Sequence, residues 1–129
     1  TIVGGPNETK IAMDIEKFLL KKGVTNYHNL VGSTNISELI ELISNFDLFI
    51  TGDSGPMHLA ASFQVPTVSI FGPTQANETS QWNNPKSIVL KKNLDCQPCM
   101  KRVCPLKHHN CMKLIKAKDV IQEVESFNL

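Results

Sequence analysis

Residues Asp47 to Thr74 read D-L-F-I-T-G-D-S-G-P-M-H-L-A-A-S-F-Q-V-P-T-V-S-I-F-G-P-T. Leu48, Phe49 and Ile50 form a short apolar run, the pattern of a buried strand. Gly52-Asp53-Ser54-Gly55 breaks the run with turn-forming residues. From Pro56, which suits the first turn of a helix, Met57, Ala60, Ala61 and Phe63 recur at helical spacing. Val65-Pro66 stops that helix, and Thr67 to Phe71 reads as a second buried strand. The stretch is a strand–turn–helix–strand unit whose turn opens into a helix N-terminus. Free backbone N–H groups and the positive end of the helix dipole favour an anion there. Asp53 falls at the carboxyl end of its strand, where open α/β sheets bind their ligands.

The flanking sequence continues the alternation. Ile2 and Val3 read as strand, Gly4-Gly5-Pro6 as a turn, and Asn7 as the N-cap of a helix to about Lys22. Ile11, Ile15, Phe18 and Leu19 share one face of that helix, and Gly23 ends it. Tyr27 to Val31 is a weak strand candidate. Asn35 with Glu38 three residues on resembles a capping box, opening a helix that carries Ile36, Leu39, Ile40 and Ile43 on its buried side. Beyond the central unit, Gln75 to Pro85 is a polar loop holding the single tryptophan, Trp82. Ser87 to Leu90 reads as a short strand and Lys92 to Leu114 as a cysteine-bearing loop. A last helix, Ala117 to Phe127, turns Val120, Ile121, Val124 and Phe127 inward. Strands alternating with helices call for a parallel sheet with right-handed crossovers. The expected class is α/β, a Rossmann-like parallel sheet with helices on both faces.

The run D-S-G-P-M-H-L-A-A followed by V-P-T-V-S-I-F-G-P-T resembles the donor-site motif of glycosyltransferase family 9, the heptosyltransferases of bacterial lipopolysaccharide synthesis. A lone D-S-G is weak, because sugar-nucleotide epimerases of similar fold also carry it. His58, Ala60 and Phe71-Gly72-Pro73-Thr74 supply the specificity. The resemblance covers nearly the whole chain and matches the C-terminal, donor-binding half of two-lobed GT-B enzymes. It implies that residues 1–129 form a partial C-terminal nucleotide-sugar-binding lobe, that the N-terminal acceptor lobe is absent, and that the chain alone is inactive. The implied reaction moves heptose or a related sugar from an ADP-heptose-like nucleotide-sugar to a lipopolysaccharide core lipid, with inversion and with neither metal nor cofactor. The general base belongs to the other lobe, so no catalytic residue is expected in this one. The implied setting is cytoplasmic, at the inner face of the inner membrane, with peripheral membrane association and no nucleic-acid partner. Competing readings are a GT-B-type epimerase, a non-catalytic nucleotide-binding module, and a metal-binding interaction domain built on the cysteine loop.

Residue by residue, Asp53 is either an N-cap or a carboxylate accepting hydrogen bonds from sugar hydroxyls, and its two oxygens allow both. Ser54, Gly55 and Pro56 match donor-contacting positions of the family. Gly55 permits close backbone approach, while Pro56 has no N–H to give. Backbone donors to a diphosphate must then come from Ser54, Gly55, Met57 or His58. There is no G-x-x-x-x-G-K-(S/T), which sets aside a nucleoside-triphosphate P-loop. His58, one turn into the helix, is a structural hydrogen-bonder or, by its place in the motif, a diphosphate contact that offsets charge on the leaving group. Glu8 suits a helix start on dipole grounds alone, and the resemblance assigns it to the ribose diol. Thr34 matches a position near the nucleotide.

The totals agree with a globular protein: 129 residues, 41% hydrophobic, formal net charge +1. No apolar run approaches the roughly 20 residues of a membrane span. The charge is unevenly placed, with eight of the thirteen basic residues between Lys91 and Lys118 against one acid, Asp95. That stretch is either a solvated loop or a lure for an anionic partner such as a phosphorylated lipid or membrane surface. Its lack of aromatic residues argues against a base-stacking surface. Cys96, Cys99, Cys104 and Cys111 give C-x2-C-x4-C-x6-C, with His108 and His109 between the last two. Zinc or another soft metal, two disulfides and free thiols are the three readings of that spacing. No metal is assigned to it.

Overall fold

The computed structural model describes residues 1–128 and divides into two compact units, residues 1–42 and the part from Ile43 onward. In the first, Ile2 pairs in parallel with Asn29 through a single bridge. Hydrogen bonds from Ile2 N–H to the His28 carbonyl (2.7 Å) and from Leu30 N–H to the Ile2 carbonyl (2.9 Å) hold it. The Tyr27–Val31 strand thus amounts to one bridge. The first helix also begins differently from expectation. Pro6–Glu8 is a 3-10 turn and α1 spans Thr9–Lys21, so Asn7 does not cap it. The turn is held instead by Glu8, whose Oε2 accepts the Gly5 N–H at 2.7 Å.

The apolar face of α1 is largely exposed. Only Ala12 is buried, while Ile11 and Phe18 are 62% and 59% exposed. Periodicity says which side chains share a face, not that a neighbour covers it. The second helix, α2, spans Ile36–Ser44. Its capping box forms in full: Glu38 N–H donates to Asn35 Oδ1 (3.0 Å) and Asn35 N–H to Glu38 Oε2 (2.8 Å). Ile43 is buried on it, whereas Ile36 is exposed.

From Ile43 onward the chain builds a three-stranded, all-parallel sheet in the order β1-β2-β3, with β1 at Phe49–Gly52, β2 at Thr67–Phe71 and β3 at Ser87–Lys91. Phe49 pairs with Thr67, and Thr67 with Ser87. Parallel neighbours need crossovers. Helix α3, Gly55–Ser62, makes the first and packs on β1 and β2. The second crossover carries the short helix α4, Ala76–Thr79, inside the segment expected to be wholly loop. Being central, β2 is buried at Thr67, Val68, Ser69 and Phe71. The edge strand β1 buries Phe49 but leaves Ile50 exposed, so the expected buried run is buried on one face only.

Met57 of α3, Phe71 of β2 and Ala76 of α4 form a core cluster with Val89 of β3 packed against it. Phe63 falls outside it, exposed at the end of α3. That helix closes with Gln64 in the left-handed region (φ 58°). Gln64 and Val65 N–H groups return to the carbonyls of Ala61 and Ala60, a C-terminal motif more often built on glycine. The cysteine-bearing loop contains a further short helix, α5 at Asn110–Lys113, and leads to α6 at Ala117–Glu125. α6 packs on β2 and β3 with Val120 and Val124 half-buried, while Ile121 is turned out to solvent. Lys92 Nζ reaches Asp119 Oδ2 at 3.0 Å, tying the end of β3 to the start of α6. Among the described residues no helix is long and apolar enough to cross a membrane.

Candidate functional site

The turn after β1 gathers five of the expected residues: Asp53, Ser54, Gly55, Pro56 and His58. Gly52 ends the strand, Ser54 is the N-cap in extended conformation (φ −156°, ψ 163°), and Pro56 stands in the first turn of α3. Asp53 is therefore not the cap. Ser54 does not cap through its side chain either. Its Oγ lies 3.2 Å from Thr51 Oγ1 and 3.4 Å from the Gly52 carbonyl, folded back on the strand end. Met57 N–H is taken by the Ser54 carbonyl at 3.1 Å. With Pro56 unable to donate and the His58 N–H committed to the first helical turn, the turn offers an anion the N–H groups of Ser54 and Gly55. His58 is exposed on the helix.

Asp53 has a partner that the local sequence does not announce. Thr79 Oγ1, at the end of α4, lies 3.0 Å from Asp53 Oδ2 and 3.2 Å from the Gln75 carbonyl. A hydroxyl has one proton to give, so these two acceptors share it. The contact fixes one oxygen of a half-buried carboxylate and leaves the other for an incoming hydroxyl. Thr79 has a readable local role, the i−4 bond to Gln75 common for threonine in helices. Its bond to a residue 26 positions away has no local signature.

A second feature lies at the carboxyl ends of β2 and β3. A cavity of about 290 Å³ is bounded there by Thr74, Gln75, Lys91, Lys92, Asn93 and Asp95, among others. Thr74 Oγ1 is buried without a hydrogen-bond partner among the described residues. A buried hydroxyl left unpaired costs about 1–3 kcal/mol, which a polar ligand or water in the cavity would offset.

Glu8 and Thr34 belong to the first unit. Glu8 is exposed and its carboxylate holds Gly5 N–H. Thr34 is half-buried, directly before the Asn35 capping box. The four cysteines are free thiols, Cys111 buried and the others half-buried. Among the described residues no three Cys, His, Asp or Glu side chains stand ready to hold a metal ion as they are.

Residues 2–110 match the profile of glycosyltransferase family 9 (heptosyltransferase). The chain belongs to that family. As a family 9 member it is 43% identical over 122 residues to lipooligosaccharide heptosyltransferase 2 of Campylobacter jejuni serotype O:2, covering 95% of this chain and 38% of that protein. The same enzyme of serotype O:6 is 40% identical over 124 residues, 96% and 39% of the two chains. Among solved structures, the E. coli ADP-heptose lipopolysaccharide heptosyltransferase II superposes with a TM-score of 0.76 at 21% identity, over 96% of this chain and 34% of that one. A family 9 glycosyl transferase from Veillonella parvula gives 0.68 at 26%, with the same coverage. The α/β fold of the family 9 enzymes is thus the fold of this chain, which spans well under half the length of the relatives it matches.

Proposed function

We propose that this chain is the C-terminal nucleotide-sugar-binding lobe of a heptosyltransferase, with the acceptor lobe and the general base supplied elsewhere in a longer protein. The sugar passes with inversion from an ADP-heptose-like donor to a lipopolysaccharide core acceptor, and transfer needs neither metal nor cofactor. The single observation that carries this reading is the Asp53–Ser54–Gly55 turn. It sits at the carboxyl end of β1, opens into α3, and presents a carboxylate preset by Thr79 beside backbone donors. Asp53 binds donor hydroxyls, and the N–H groups of Ser54 and Gly55 take the diphosphate, with the His58 side chain offsetting charge on the leaving group. Glu8 and Thr34 serve the nucleoside. The setting is cytoplasmic, at the inner face of the inner membrane, where the lipid acceptor is met through peripheral association.

The test is calorimetric titration of ADP and UDP into the longer protein, wild type and His58→Ala. Tighter binding of ADP than UDP, weakened by the substitution, is expected. Equal affinity of both variants for ADP removes His58 from the site, and no binding of either nucleotide removes the assignment.

A further inference from the structure

The geometry points to a structural metal site, a tetrahedral soft divalent ion of the zinc class, held by the thiolates of Cys96, Cys99, Cys104 and Cys111. All four cysteines, with His108 and His109, line one small cavity of about 20 Å³. That is enough for one water-sized occupant. Three segments bring them there. Residues 96–99 are pinned to the end of β2, where Gln97 Nε2 donates to the Gly72 carbonyl at 2.7 Å and Met100 N–H to the Pro73 carbonyl at 2.9 Å. Cys104 opens a tight turn closed by Lys107 N–H on its carbonyl at 3.1 Å. Cys111 sits on α5, its Sγ close enough to Gly72 that a Cβ there would lie 3.8 Å away.

The backbone around Cys99 and Cys104 turns sharply. Met100, Lys107 and His109 adopt left-handed backbone (φ 55°, 59° and 57°), one directly after Cys99 and the others between Cys104 and Cys111. Successive N–H groups in such turns form concavities that stabilise thiolates at metal centres. Four thiols gathered on one small cavity take no part in the donor site proposed above.

Sulfur is favoured over imidazole as the ligand. His108 Nδ1 accepts the Asn110 N–H at 3.0 Å, which in the neutral ring places the proton on Nε2 and leaves no free lone pair. Charge agrees as well. Four thiolates around a divalent ion leave a net dianion, and the surrounding loop carries Lys101, Arg102, Lys107 and Lys113 with no acid between Asp95 and Asp119. The basic stretch thereby gains a function within the fold. The four sulfurs stand farther apart than a bound ion would hold them. Binding must therefore draw the sulfurs in to about 2.3 Å from the metal.

The experiment uses the protein purified under reducing conditions without chelator, with elemental analysis, thiol titration and thermal melting before and after a strong chelator. About one zinc per chain is expected, with the thiols masked until chelation and the melting temperature lowered by it. Cobalt(II) exchanged into the protein should show the intense near-ultraviolet sulfur-to-metal charge-transfer band, weakened in Cys104→Ser and Cys111→Ser and kept in His109→Ala. Metal-free protein with four titratable thiols and a melting point indifferent to chelator would overturn the proposal. So would metal-free protein with the thiols paired as disulfides, or a cobalt spectrum lost in His109→Ala.

Discussion

At Asp53 the proposed ligand role turns on where the carboxylate's hydrogen bonds go. An N-cap role would have spent its oxygens on the N–H groups of α3. Ser54 takes the cap position instead, and Thr79 holds one Asp53 oxygen from the side. Asp53→Ala in the longer enzyme is expected to cost transfer rather than folding. A hydrogen bond to a charged group contributes about 1.5–3 kcal/mol, so kcat/KM should fall roughly 10- to 150-fold while the unfolding midpoint barely moves. Thr79→Val keeps the shape and removes the bond, and should lower kcat/KM by a smaller factor with the same sign. Steady-state kinetics beside urea titrations check both. A Thr79→Val enzyme with wild-type kinetics would leave that hydroxyl a local helix bond to Gln75.

At the scale of elements, the central unit was legible because its signals are local. The apolar run, the Gly/Ser turn, Pro56 in the first helical turn and the Val65-Pro66 stop each constrain backbone within a few residues. The Asn35–Glu38 box was legible for the same reason. Burial and long-range pairing were not: the exposed face of α1, the outward Ile121, and the Thr79 bond to Asp53. None of these depends on residues near in sequence. Gly72 is another such case. Its φ is ordinary, but a Cβ there would stand 2.5 Å from Met112 Sδ and 3.0 Å from Met112 Cγ, so α5 rests against a residue with no side chain. Gly72→Ala should destabilise by about 0.5–1.5 kcal/mol, the cost of pushing the exposed Met112 side chain off its rotamer. The loss should shrink in a Met112→Ala background, a coupling that a double-mutant cycle of denaturation energies reads directly.

Asp119 makes a second prediction at this scale. Its Oδ2 accepts the Lys116 N–H at the start of α6 and the Lys92 ammonium, each at 3.0 Å. The backbone bond first and the Lys92 bond next hold its carboxyl below the usual carboxylate range. A carboxylate with a folded pKa below its unfolded value adds stability that is full above the unfolded value, near 3.9. That stability is lost as pH falls through the folded value. Asp119→Asn should therefore be less stable than wild type at neutral pH, and the gap should narrow as the pH drops below about 4. Denaturant midpoints across that range test it, and a gap independent of pH would show that the carboxylate's charge is not its source.

On the scale of the whole molecule, the donor and acceptor must be held together for transfer to be fast. Orienting two reactants can contribute about 7–11 kcal/mol of the barrier, and in the proposed reading the Asp53 turn with its neighbours holds only one of them. The chain aligns with 38% and 39% of the two Campylobacter enzymes, and the turn at Asp53 is the donor side of the reaction proposed for it. Prepared by itself, the 129-residue chain is expected to bind ADP weakly and to transfer no sugar to any acceptor. The longer protein carrying it should do both, with Asp53→Ala in that protein lowering transfer. A radiolabelled-donor assay with a lipopolysaccharide precursor, run on both preparations, separates the outcomes. Sugar transfer by the isolated chain would overturn the division of labour, because base and acceptor contacts would then have to lie within this chain. Tight ADP binding without transfer would keep that division and put the nucleotide site wholly on the donor side.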